Sequence, residues 1–211
     1  MIDTSSELVA LLHGTPVLPV VTIESVDQAE AVAEALLDGG IASIEVVFRT
    51  AAAADVIARI SSLQGLVVGA GTLLTVAQVA AAVEAGARFG VAPALDEAIV
   101  EACREHGLPF IPGVATPSEI QHARTLGLRV LKLFPASQLG GPAFVRAMSQ
   151  VFGDTLFLPT GGVDAETAPL YLELPSVLSC GGSWIVNPEL LLEGRFDEIE
   201  RRASAAASLR P

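Results

Sequence analysis

One alternation dominates the chain: a short run rich in Val, Ile and Leu, then a longer Ala-rich stretch of helical character, eight times over 211 residues. The apolar runs fall at 17–23, 43–48, 66–69, 88–92, 109–112, around Lys132, at 155–158 and at 176–180. Helical stretches follow at 25–37, 51–63, 76–85, 96–106, 118–126, 142–152 and 165–172, and the tail 189–209 reads as mostly helical. Several close at a glycine, as at Gly86, Gly107 and Gly127. A further helix is expected at 6–13, with Ser5 or Ser6 as its N-cap. Runs this short and this continuously apolar need cover on both faces, which helices on a parallel sheet provide. Eight strand–helix units predict the α/β class and a single (β/α)8 TIM barrel over 1–211, with an extra N-terminal helix and no second domain. An open doubly wound sheet is the alternative.

In such a barrel, reactive groups belong at the C-terminal ends of the strands. The basic residues single out one of them. Of 12 Lys and Arg residues only Lys132 is a lysine, and it sits inside the apolar run Val130-Leu131-Lys132-Leu133-Phe134. Arg keeps its proton at ordinary pH, whereas a desolvated lysine can lose it and attack a ketone to form a Schiff base. The structural alternative is a stem packed in the core with its ammonium reaching water.

Strand alternation sets the phase. Leu131 and Leu133 suit the helix side, so Val130, Lys132 and Phe134 should face inward. On the second strand Ile44, Val46 and Phe48 suit the helices, leaving Glu45, Val47 and Arg49 inward. Val68, Ala70 and Thr72 share one phase on the third strand, and Leu156, Leu158 and Thr160 on the seventh. A lysine, a carboxylate, a guanidinium and threonine hydroxyls are thereby expected at one mouth. An ion pair of Glu45 with Arg49 or Lys132 would by itself be weak as a stabilising device.

Two glycine turns follow strands seven and eight: Pro159-Thr160-Gly161-Gly162-Val163 and Cys180-Gly181-Gly182-Ser183-Trp184. These are the two loops that recurrently bind phosphate in barrels, and glycine lets backbone N–H groups approach an anion. The net charge of −12 argues against a nucleic-acid surface and means that any anionic substrate must be held by local donors. His13, His106 and His122 fall on the outer helices, with no metal-ligand spacing, and neither a G-x-S-x-G elbow nor a dinucleotide fingerprint is present. Neither a metal nor a cofactor is expected. Cys103 and Cys180 form no CxxC pair and read as core or free thiols. No apolar run has membrane-spanning length, and the acidic, polar start lacks the features of a signal peptide, so a cytoplasmic protein without a membrane partner is expected.

With these residues placed, the whole chain resembles the class I 2-keto-3-deoxy-6-phosphogluconate (KDPG) aldolases, also known as 2-keto-4-hydroxyglutarate (KHG) aldolases. The most specific match is Gly127-Leu128-Arg129-Val130-Leu131-Lys132-Leu133-Phe134-Pro135-Ala136 with Gly140, similar to the family's Schiff-base motif. Residues 40–49, Gly69-Ala70-Gly71-Thr72 and the two glycine turns match further motifs in order. The sequence departs at Val47, where the family usually has Thr, and at Pro93-Ala94, where it commonly has Pro-Gly. The resemblance implies Lys132 as the imine-forming nucleophile and Glu45 as the acid/base. It implies that Arg49 and Thr72 bind the keto-acid carboxylate and that Pro93 and Phe134 wall the pocket. Thr160, Gly161, Gly162, Gly181, Gly182 and Ser183 would surround the distal phosphate. It further implies cleavage to pyruvate and an aldehyde, a place in the Entner–Doudoroff pathway and a homotrimer. The rivals are the relative acting on the galactonate epimer, a sugar-phosphate isomerase or epimerase, and a non-catalytic phosphate-binding barrel.

Overall fold

In the computed structural model, residues 4–209 are described. Helix α1 (Thr4–Leu11) precedes β1 (Val17–Val21), so Ser5 and Ser6 lie within the helix and not at its cap. A 3₁₀ turn at Val26–Gln28 leads into α2 (Ala29–Asp38), then β2 (Ser43–Val47), α3 (Ala53–Ile60), β3 (Val67–Gly71) and α4 (Val76–Glu84). Next come β4 (Phe89–Val91), α5 (Glu97–Glu105), β5 (Phe110–Ile111), β6 (Gly113–Val114) and α6 (Pro117–Thr125). The chain continues through β7 (Val130–Leu133), α7 (Gly141–Val151), β8 (Leu156–Pro159), α8 (Ala168–Leu172), β9 (Cys180–Gly182), α9 (Pro188–Leu192) and α10 (Phe196–Ala207).

Side-chain caps fix several helix starts. Thr75 with Gln78 and Thr116 with Glu119 form capping boxes, each satisfying donors that a helix end leaves open. Asp96 accepts from the amides of Ala98 and Ile99. The helical tail expected at 189–209 is two helices, because Gly194 at φ +65° turns the chain between α9 and α10. The helix expected from 165 starts three residues later; Asp164 Oδ1 instead accepts from Glu166 N, Thr167 N and the Thr167 hydroxyl, holding a turn there.

Every strand pairing is parallel. Six strands in the order β5-β4-β3-β2-β1-β9 form one curved wall, a half-barrel, and β6-β7-β8 form a second sheet. The predicted strand 109–112 is split between them at Pro112, which has no N–H to give to a ladder. Single parallel bridges, Phe157–Val177 and Thr160–Gly181, link β8 to the segment that ends in β9.

The strands separate two apolar layers. One lies under the helices and includes Ile44, Val46, Val68, Ala70, Leu131, Leu133 and Phe157. The other collects Leu18, Phe89, Val91, Ile111, Val130 and Leu158, together with Leu8 and Leu12 from α1 and the turn after it. The predicted phases of β2 and β7 hold. That of β3 does not: Val68 and Ala70 pack under the helices, so Gly69 and Gly71 take the other face. Small residues at 69–71 carry no apolar contrast from which the phase could be read.

Candidate active site

The phase of β7 carries Lys132 onto the same face as Val130, and that of β2 carries Glu45 toward it. Lys132 Nζ lies 3.1 Å from Glu45 Oε1, an ion pair joining residues 87 apart in sequence. Lys132 is 5% exposed and Glu45 0%. Taking two charges this far from water costs several kcal/mol each, so the pair is a poor device for stability alone. One of its atoms is also unsatisfied: Glu45 Oε2 is buried with no hydrogen-bond partner. The carboxylate thus has one oxygen anchored on the amine and one held ready.

The space for Glu45 comes from a glycine. A Cβ built on Gly71 would overlap Glu45 Oε1 and stand 2.6 Å from its Cγ. A Cβ on Gly69 would likewise enter the Phe89 ring. Sequence reasoning recognised Gly69-Ala70-Gly71-Thr72 as a motif and missed that its glycines face inward. The next residue, Thr72, is half-buried with φ +59°. A β-branched residue there is strained by about 1–3 kcal/mol, and such strain concentrates at functional sites.

Arg49 is exposed beyond the end of β2, and its guanidinium has no ion-pair or hydrogen-bond partner among the described residues. Glu45 therefore pairs with Lys132 and not with Arg49. Val47 is buried, at 1% exposure, and brings no hydroxyl to the site. Phe134, half-buried, places its ring centroid 5.9 Å from Lys132 Nζ. Pro93 is half-buried, and its main chain packs against Gly113 so closely that a Cβ there would stand 2.6 Å from Ala94 N. Pro93, Gly113, Val114 and Phe134 form one wall of a cavity of about 630 Å³, whose outer rim includes the His122–Glu97 pair. Neither Lys132 nor Glu45 lines it, so this space adjoins the buried pair without containing it.

The glycine turns sit at the tips of β8 and β9. Gly161 and Gly162 have φ +92° and +71°, which an L side chain rarely adopts. The N–H groups of Gly162, Ser183 and Trp184 have no acceptor among the described residues. Unpaired donors gathered at two adjacent loops suit an anion. Thr160 is 6% exposed; its hydroxyl donates to Leu158 O at 3.3 Å and fills the place that a Cβ on Gly181 would need. Gly182 is the last residue of β9, and Ser183 beyond it is exposed. From below, Arg202 donates to Trp184 O at 2.7 Å while Glu198 holds its guanidinium at 2.7 Å, fixing the second loop.

The remaining chemistry-bearing residues stand apart. His13 and His106 are exposed, and among the described residues no three His, Cys, Asp or Glu side chains gather as metal ligands. Cys103 and Cys180 are free and buried, and burial pushes both thiols up to about 12. No helix among the described residues is long and apolar enough to cross a membrane.

The chain matches one family over most of its length. A family profile described as "KDPG and KHG aldolase" covers residues 8–202. The chain belongs to the KDPG and KHG aldolase family. It is an aldolase, a carbon–carbon lyase. The 2-dehydro-3-deoxy-phosphogluconate aldolase of Treponema pallidum (strain Nichols) is 43% identical over 89% of this chain and 90% of its own. The KHG/KDPG aldolase of Escherichia coli (strain K12) is 39% identical over 96% and 95%. The KDPG aldolase of Legionella pneumophila, 36% identical, superposes with a TM-score of 0.91 over 95% of this chain and 98% of its own; that structure holds pyruvate as a covalent carbinolamine intermediate. The resemblance read from the sequence is thus borne out at the level of the family.

Proposed function

We propose that this protein is a metal-independent class I aldolase that cleaves KDPG to pyruvate and glyceraldehyde 3-phosphate, and also 4-hydroxy-2-oxoglutarate to pyruvate and glyoxylate. The observation that carries the reading is the buried 3.1 Å contact of the chain's single lysine with Glu45, whose second oxygen is free. The carbinolamine in the Legionella relative supports the same chemistry.

A proton passing from Nζ to the carboxylate leaves a neutral amine, which attacks the C2 ketone. Glu45 gives that proton to the carbinolamine hydroxyl, which leaves as water; the product is a protonated imine and Glu45 is a carboxylate again. Glu45 takes the C4 hydroxyl proton, the C3–C4 bond breaks, and its electrons enter the imine to give an enamine and the aldehyde. Glu45 returns the proton to C3, and water releases pyruvate and the free lysine. Arg49 offers a two-pronged donor to the keto-acid carboxylate, with Thr72 beside it. Pro93 and Phe134 wall the acceptor side. The loops at 160–162 and 181–183 hold the distal phosphate on their open N–H groups.

The two sheets are read as arcs of one closed (β/α)8 barrel, a single domain over 1–211. Pro112 is then a bend within one strand, and α1 is an extra helix closing the lower end with Leu8 and Leu12. We read the enzyme as a cytoplasmic homotrimer, an assembly that light scattering at micromolar concentration tests.

Borohydride reduction in the presence of pyruvate should add one adduct, at Lys132, and Lys132→Arg should abolish both label and turnover. Absence of the label, or a label elsewhere, refutes the imine. Cleavage rates on KDPG, its C4 epimer and 4-hydroxy-2-oxoglutarate then decide the substrate; a faster epimer would transfer the reading to the galactonate type.

A further inference from the structure

Beyond the backbone loops, the proposed distal-anion site has a side-chain wall that the family motif does not supply. The turn after β7 runs alongside the turn after β8. Ala136 N donates to Thr160 O at 2.8 Å and Ser137 N to Gly161 O at 3.0 Å. This zipper lays Ser137 and Gln138 against Gly162. A Cβ built on Gly162 would overlap the Ser137 hydroxyl and stand 2.7 Å from Ser137 Cβ and 3.8 Å from Gln138 Nε2. Both side chains are exposed.

Their hydrogen bonding is directional. The Ser137 hydroxyl donates to Gln138 Oε1 at 2.8 Å, which ties down the acceptor end of the amide. The donor end, Nε2, has no acceptor among the described residues and faces Gly162, whose own N–H is also open. Two unpaired donors therefore meet at one edge of the mouth. In a chain of net charge −12 an exposed cluster of open donors is where an anion can be held.

We propose that Gln138 is a specificity-determining residue for the distal anionic group of the substrate: its Nε2 donates to the phosphate alongside the amide of Gly162. Ser137 is the positioning residue that keeps the amide turned donor-outward. The inference rests on the aldolase reading above and adds to it a residue that distinguishes a phosphorylated keto acid from the same carbon chain without phosphate. Gln138 lies on a turn beyond the buried pair, so its contribution reaches the phosphate end and not the C2 ketone.

The test compares kcat/KM for KDPG with kcat/KM for its unphosphorylated six-carbon counterpart in wild type, Gln138→Leu, Gln138→Glu and Ser137→Ala. A hydrogen bond to a charged group lost without replacement lowers affinity by about tenfold or more. The phosphorylated-to-unphosphorylated ratio should therefore fall about tenfold in Gln138→Leu. It should fall further in Gln138→Glu, where a carboxylate faces the phosphate, and by a smaller factor in Ser137→Ala. The fall should appear in KM for the phosphorylated substrate, while pyruvate–borohydride labelling continues. A ratio in Gln138→Leu and Gln138→Glu equal to that of wild type overturns the proposal. Absence of labelling and cleavage in the wild-type protein would instead refute the aldolase reading, so the two failures are distinct.

Discussion

Gly71→Ala puts one methyl group where Glu45 now lies. Its Cβ would start 2.6 Å from Glu45 Cγ and 2.8 Å from Cδ, and would overlap Oε1. Carbon atoms at rest need about 3.5 Å, so the carboxylate must retreat by roughly 1 Å. It cannot retreat freely, because Glu45 is 0% exposed and its Oε1 is tied to Lys132. Overpacking of this kind costs about 1–3 kcal/mol, which for a chain of this size lowers Tm by about 2–4 °C per kcal/mol. A displacement of 1 Å at a group that must transfer protons costs about 10²-fold in rate. Gly69→Ala is the control: its Cβ would start 2.6 Å from Phe89 Cε1, an equal insult in the apolar layer two residues away. Both variants should melt early, but only Gly71→Ala should lose about 10²-fold in kcat with KDPG, followed by coupled pyruvate detection. If Gly71→Ala is destabilised like Gly69→Ala yet turns over at the wild-type rate, the position of the Glu45 carboxylate does not matter to the reaction, and the role given to it fails.

Two further outcomes follow from charged groups. Glu45→Gln leaves Lys132 buried without its counter-charge, so it should lose about 3–5 kcal/mol of stability by denaturant titration. The same variant should still form the borohydride-trapped adduct, more slowly, while cleavage falls about 10²–10⁴-fold; wild-type cleavage would make Glu45 merely structural. Hydrogen bonds from Arg201 and Arg202 hold the Glu198 carboxyl at about 2, below its ordinary value of 4.5. A depressed carboxylate stabilises the fold fully above the ordinary value and loses that contribution as pH falls toward about 2. Thermal melts of Glu198→Gln should accordingly show a shallower decline of Tm than wild type across that acid window; parallel declines would contradict the assignment.

The sequence made some of this site legible and hid the rest, for identifiable reasons. On β2 and β7 large apolar residues alternate with charged ones, so the sequence itself sets the phase and brings Glu45 and Lys132 to the same side. On β3 the alternation is Val, Gly, Ala, Gly, and size gives no vote; Phe89 and Glu45 settle the phase by occupying the space the glycines leave. The split of the fifth predicted strand could have been anticipated from Pro112, whose missing N–H ends one ladder where another begins. Thr72 carries no local sign that it will adopt φ +59°, since that conformation is imposed by the chain on either side. Open donors are likewise invisible in a sequence, because an N–H is unpaired only relative to everything around it. The cation paired with Glu45 is open in the sequence between Arg49 and Lys132; the structure pairs it with Lys132, because Arg49 lies beyond the end of β2, which alternation alone does not give.

The placement of glycines explains how a small barrel-like interior holds a reactive pair at all. The apolar layer with Leu8, Leu12, Phe89, Val130 and Leu158 fills one part of that interior. Continued upward with side chains of the same size, it would leave no room for a carboxylate and an ammonium. Gly71 and Gly181 remove a side chain where Glu45 and Thr160 now reach in. Each glycine within a strand sacrifices roughly 0.5–1 kcal/mol of backbone entropy relative to alanine. That cost is tolerable because the packed layer beneath is rigid and the two-layer core is large. The motif glycines of this chain are therefore best understood as the volume of the site written in sequence. A substitution that adds a Cβ facing the mouth should damage chemistry as well as folding, whereas the same methyl one layer lower should damage folding alone.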